Sequence, residues 1–229
     1  MRKSLIITGA VAAALLATGL TGDRWAAATA ADRLADRIRC AAGLPEPPDV
    51  SLGGIPFLTQ LARGTFTKVQ VTADSVAVGR FHAGLTATAR TVRTAGGSVR
   101  AASLTATANL AYDELGYDGA GRLRMTTTAQ LLGRSVPVVV HASTEISGSA
   151  LVVRPVEVEI PAVGIRIPAA QLGDKAQPRT ITLPALPAGL TYREVTPAED
   201  GLRITAGGEG LAMTGKNSTG DQDCEGGRR

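Results

Sequence analysis

Alternation with a period of two runs through most of the 229-residue chain. Val69 and Val71, Val76 and Val78, then Phe81, Ala83 and Leu85 are separated by polar residues. The beat returns in Leu104, Ala106, Ala108 and Leu110, in the row Leu123, Met125, Thr127, Ala129 and Leu131, and in Val136, Val138 and Val140. It continues with Leu151 and Val153, then Val156, Val158 and Ile160. After a looser stretch come Ile181 and Leu183, Leu190 and Tyr192, Leu202 and Ile204, and Leu211 with Met213. Successive side chains of a strand point to opposite faces, so each row gives one apolar and one polar face. Glycine-containing breaks ("AGGS" at 95–98, "GRS" at 133–135, "ISGSA" at 146–150) separate the rows. A chain written this way folds into antiparallel sheet with one wet side.

Few helices are available to cover the apolar side. A helix is expected over 25–42, where Leu34, Ile38 and Ala41 share a face and Asp32, Arg33, Asp36 and Arg37 lie elsewhere. "GLPEPPD" at 43–49 stops it. Shorter helices are expected at 56–63, 110–116 and 169–173. The fold class is therefore α+β: a long curved antiparallel sheet wrapped around a few helices, enclosing an elongated apolar interior. Ala83, Ala87, Ala89, Ala106, Ala108 and Ala129 point inward, and aromatic residues make up only 3% of the chain. Such small side chains either leave a cavity or pack shut.

"GGIPFLTQLARGTF", residues 53–66, carries a helix with its punctuation. Gly53 and Gly54 break the preceding strand, and Pro56 suits a first helical residue because its missing N–H is not needed there. Phe57, Leu58, Leu61 and Ala62 recur at helical spacing, and Gly64 stops the run. About two turns of helix are not stable alone in water, so this one must lean on something. Phe57 and Phe66 are placed around it; Phe57, Leu58 and Leu61 either line or gate an apolar groove, or Phe57 and Leu61 plug the core at that end.

Arg2 and Lys3 precede an uncharged stretch from Ser4 to Leu20, roughly 17 residues. The segment is either an export signal, cleaved after the small residues "AAATA" at 26–30, or an uncleaved membrane anchor with Arg2 and Lys3 on the cytoplasmic side. Both place the remainder outside the cytoplasm. No cysteine follows closely enough for a lipoprotein. Residues 1–24 are thus expected as signal or anchor, 25–215 as a β-rich domain and 216–229 as a polar flexible tail. Two cysteines, Cys40 and Cys224, in an exported chain suggest a disulfide between the domain's ends, with two free thiols as the other possibility.

Other chemistry is thin. His82 and His141 are the only histidines, and with the cysteine pair oxidised no zinc set can be assembled from His and Cys alone. His82, beside Phe81 in the alternation, is expected on the wet side. Ser143 and Thr144 follow His141, but no G-x-S-x-G elbow accompanies them. "AGGS" lacks the lysine and helix of a phosphate-binding loop. Asp113 with Glu114, and Glu157 with Glu159, are carboxylate pairs, the second reading as a solvated strand face. "NST" at 217–219 matches a glycosylation triplet of the kind that arises by chance. Arginines are scattered under a net charge of +4, which does not make a nucleic-acid footprint but suits attraction to anionic lipid. No enzymatic activity, cofactor or metal is expected.

"VSLGGIPFLTQLARGTFTKVQV" presents a strand ending in glycine, then Ile-Pro-Phe-Leu-Thr-Gln, a glycine-bounded turn and a Val-rich strand. This resembles the opening of the LmeA-like phospholipid-binding family of actinobacteria, whose members carry a Gly-Phe-Pro-Phe-Leu-Thr type motif there; Ile55 stands where the family often has Phe. "LPALPAGLTYREVTPAEDGLRITAGGEGLAM", residues 183–213, is similar to the family's closing Leu-Pro-x-Gly-Leu hairpin and a following strand that opens on an acidic residue and glycine. The resemblance implies an extracytoplasmic protein of the tubular lipid-binding (BPI-like) kind, with phospholipid or another acyl lipid and a membrane surface as partners. A role in cell-envelope lipid or lipoglycan metabolism would follow. The expected lipid-contacting residues are Ile55, Phe57, Leu58, Leu61, Phe66, Phe81, Leu85, Leu104, Met125, Leu131 and Val138. The rival is a structural envelope protein with a closed core that acts through a protein partner.

Overall fold

A computed structural model describes residues 2–78, 81–112, 115–131 and 133–214. The chain opens with helix α1 (Arg2–Ala42), strand β1 (Asp49–Gly53) and helix α2 (Phe57–Arg63). Three long strands follow: β2 (Thr65–Val78), β3 (Phe81–Ala95) and β4 (Ser98–Leu110). Then come β5 (Leu115–Tyr117), β6 (Leu123–Leu131), β7 (Arg134–Ser147), β8 (Ala150–Ile160) and β9 (Ile165–Pro168). A 3₁₀ segment (Ala169–Ala176), β10 (Arg179–Thr182), β11 (Thr191–Ala198) and β12 (Gly201–Thr214) complete it. The α+β class, mostly antiparallel strand with few helices, is the one the alternation dictates. The strands divide between two sheets, ordered β1-β2-β3-β4-β12-β11 and β10-β8-β7-β6-β5, with β9 on β8.

Three local expectations are corrected. None of the described residues of 110–116 is helical: β4 runs through Leu110, and Leu115 and Tyr117 pair with Met125 and Leu123. Backbone pairing with β6 outweighs the weak helical spacing there. The helix expected at 25–42 is the end of a single helix beginning at Arg2, because Gly19 and Gly22 alone do not break it. Pro56 is not the first helical residue but the residue before it, with extended backbone at φ −78°, ψ 140°. The expected helix at 169–173 is present as 3₁₀ turns, interrupted at Gly173, which adopts φ 55°, ψ −129°. Among the residues whose side chains are described, which in α1 begin at Gly19, no helix is long and apolar enough to cross a membrane.

Glycine sets the hairpins. Gly96 (φ 55°) and Gly97 (φ 76°) form the two-residue link between β3 and β4, the backbone that matches strand twist and that side chains resist. Between β7 and β8 the register slips: His141 pairs with Glu157 but Ala142 pairs with Pro155, leaving Val156 as an extra residue. This bulge has a written trace. The apolar beat of β8 runs on odd positions at Leu151 and Val153 and on even positions at Val156, Val158 and Ile160.

Two compact units result. Unit 1 draws on Met1–Asp74, Thr86–Leu104 and Glu209–Arg229. In it Ala27, Ala31 and Ala35 form a buried stripe at four-residue spacing on α1, with Ala31 and Ala35 packed against Val50 of β1. Unit 2 draws on Ser75–Leu85 and Thr105–Gly208. Its core sets Leu123, Ala142, Leu151 and Val153 of β6–β8 against Leu202 and Ile204 of β12.

Candidate functional site

In unit 1, the first N–H groups of α2 have no partner within the helix, and the N-cap residue Pro56 offers no side-chain cap. Asp23, on α1, supplies the cap. Its two carboxylate oxygens accept from the N–H of Phe57 (2.9 Å) and of Leu58 (2.9 Å). Asp23 is only 4% exposed. The N–H groups of Phe57 and Leu58, then the Arg24 guanidinium at 2.8 Å, hold its pKa down at about 2. Arg24 also donates to the Gly54 carbonyl at 2.8 Å.

The rest of the motif ties α2 to the strands. The Gln60 side chain accepts from the Thr67 N–H (2.8 Å) and donates to the Gly53 carbonyl (3.3 Å), which also accepts from the Thr67 hydroxyl (2.9 Å). Gly54, at φ 100°, has no room for a side chain because Thr67 and Gln60 lie against it. Gly64 closes α2 in left-handed conformation at φ 58°, where an added Cβ would meet the Thr94 carbonyl at 2.8 Å. The closing motif has the same logic in unit 2. Gly201 lies against the Leu110 carbonyl and Gly208 against the Gly189 carbonyl, contacts a Cβ would occupy. Asp200 accepts from the Asn109 amide at 3.0 Å.

The expected lipid-contacting residues fall in both units. Ile55, Phe57, Leu58, Leu61 and Phe66 gather at α2. Phe57 is 1% exposed, with its ring centroid 6.1 Å from that of Phe66. Its side chain is closed off from solvent at this corner. Ile55 (66% exposed), Leu58 (51%) and Leu61 (53%) instead face outward. Leu104 is half-buried in unit 1. In unit 2, Leu85 is half-buried, Met125 packs against the core cluster and Val138 is fully buried. The side chains of Phe81, Leu131 and His82 are not among those described. Cys224, Asp113, Glu114 and residues 217–219 lie outside the described residues, so the expected bridge is followed only to Cys40.

One apolar surface in unit 2 is incompletely covered. Leu85 on β3 and Ala106, Ala108 and Leu110 on neighbouring β4 are each half-buried. Leu110, Tyr112 and Tyr192 pack against the core cluster, and burial raises the pKa of both tyrosines. The Tyr112 hydroxyl accepts from the Ala198 N–H (3.2 Å), and that of Tyr192 donates to the Pro184 carbonyl (2.8 Å).

A buried polar cluster in unit 2 was not legible from spacing. Asp118, in the β5–β6 turn, accepts from Arg122 Nε at 2.6 Å and lies 3.2 Å from His141 Nδ1. Burial opposes its charge, but the N–H groups of Ala120 and Arg122, the His141 ring and the Arg122 side chain outweigh burial and hold its pKa near 2. His141 Nε2 lies 3.5 Å from Glu159, and Arg166 reaches Glu157 (3.5 Å) and Glu159 (3.2 Å). The face read as solvated is thus half-buried and cross-linked, pinning β7, β8 and β9 to the turn. Among the described residues no three His, Cys, Asp or Glu side chains are placed to hold a metal.

Antiparallel sheet with few helices and a half-buried row of small apolar side chains places the chain in the α+β class. The opening and closing motifs make the assignment specific. The chain belongs to the LmeA-like phospholipid-binding family, whose model matches residues 21–207. No curated protein and no solved structure matches it.

Proposed function

We propose that this protein is a non-catalytic, extracytoplasmic phospholipid-binding protein that holds acyl chains against its apolar sheet surface and serves cell-envelope lipid or lipoglycan metabolism. One observation supports this most: the half-buried row Leu85, Ala106, Ala108 and Leu110. Small residues there leave room for methylene groups, each worth about 0.8 kcal/mol when taken from water. The family assignment names the lipid class. Scattered arginines under a net charge of +4 favour an anionic head group. A Cys40–Cys224 bridge belongs to the same extracytoplasmic setting.

The test is native mass spectrometry of the purified full chain, followed by denaturation and lipid identification. Phospholipid at substantial occupancy is expected, and Ala106→Leu with Ala108→Leu should lower that occupancy while leaving the far-ultraviolet dichroism unchanged. A lipid-free mass with no uptake from phospholipid vesicles would overturn the proposal and favour the closed-core structural protein.

A further inference from the structure

We propose that α1 is retained in the working protein and that the corner where it meets α2 rests on the surface of an anionic lipid bilayer. The inference rests on the export reading above but needs no bound lipid cargo. Its first support is that residues ahead of the small-residue run at 26–30 are built into unit 1. Asp23 caps α2, Arg24 bonds Gly54, and Ala27 is 6% exposed. Cleavage before Ala31 would remove all three and leave the first N–H groups of α2 bare.

The second support is position along α1. The helix is continuous from Arg2, and its sequence carries no charge from Ser4 to Leu20. Asp23 lies three residues beyond Leu20, about 4.5 Å along the axis. If the uncharged segment lies in lipid, Gly54, Ile55 and the start of α2 are held at the bilayer interface. What that level displays fits the place. Leu20 (49% exposed), Ile55, Leu58 and Leu61 are open to solvent, and Trp25, the chain's only tryptophan, is 74% exposed. Trp25 follows Asp23 by two residues, about 200° around the helix, so it stands on the side away from α2. An exposed tryptophan at the end of an apolar helix suits the interface, where its ring is half in hydrocarbon and half in water. The exposed Arg63 adds positive charge in the last turn of α2.

The test uses the full chain. Intact mass of the membrane-extracted protein should include the residues before Ala31. In vesicles of phosphatidylglycerol and phosphatidylcholine brominated near the head of its acyl chains, Trp25 emission should shift to the blue and be quenched. Leu58→Trp in a Trp25→Phe background should be quenched likewise, and the half-exposed site accepts the larger ring without repacking. A mature N-terminus at Ala31, or an unquenched Trp25, would overturn the proposal. Quenching of Trp25 without quenching at position 58 would overturn the contact through α2. Because Trp25 faces away from α2, its quenching reports the bilayer and not cargo held in the sheet. Loss of lipid capture in the earlier experiment leaves these signals unchanged.

Discussion

Asp23 shows how one side chain can decide whether a two-turn helix exists. Replacing it with Asn keeps the shape but weakens the charge-assisted bonds to Phe57 and Leu58. A Tm lowered by a few degrees is expected by calorimetry, with Asp23→Ala lower still. Asp23 and Asp118 both have folded-state pKa values near 2 against an ordinary 3.8. Depressed carboxylates stabilise fully above the ordinary value and lose that effect as pH falls through the folded value. Urea midpoints should therefore hold from neutral pH to about 4 and fall between about 4 and 2, less steeply in Asp118→Asn. Phe57, fully buried, should cost about 3–5 kcal/mol on truncation to Ala. Leu61→Ala, already exposed, should stay within about 0.5 kcal/mol. The sequence marked both residues by spacing but did not separate inward from outward. A seven-residue helix has no periodicity long enough to fix its face. Asp23 was illegible as a cap because its partners lie more than thirty positions on.

At the level of elements, the strands were nearly all written in the alternation, and so were their glycine turns. The Gly96–Gly97 turn gives a direct check by denaturant unfolding. Gly96→Asn should be neutral or stabilise by up to about 1 kcal/mol, since Asn tolerates left-handed backbone and restricts the unfolded chain. Gly97→Val should destabilise by more than about 1 kcal/mol, because a β-branched residue resists it. The misplaced helix at 110–116 has a clear cause: a short segment between strands takes its form from the strand it pairs with, and Leu115–Tyr117 pairs with β6. The polar cross-link of Asp118, His141 and Glu159 was hidden for a related reason. It joins a turn to two strands, and no local spacing encodes that meeting.

For the whole molecule, lipid capture should have two separable parts. The charge-dependent part, from a net charge of +4, should weaken as salt is raised, while the burial of acyl chains should not. Uptake from phosphatidylglycerol vesicles should therefore slow at high salt while occupancy at equilibrium falls less, as measured by native mass spectrometry over a salt series. The α+β class was legible because one period dominated the chain. The division into two sheets was not, because alternation says which face a strand buries but not which neighbour it chooses. The extra Val156 in β8 also has meaning for the gene. Removing that one codon would straighten the strand and leave Leu151 and Val153 on the same face as Val158 and Ile160. Removing a codon elsewhere in the strand would turn its remainder inside out. Within β8, the bulge at Val156 is therefore where a lineage can lose a triplet and still keep both apolar rows on one face.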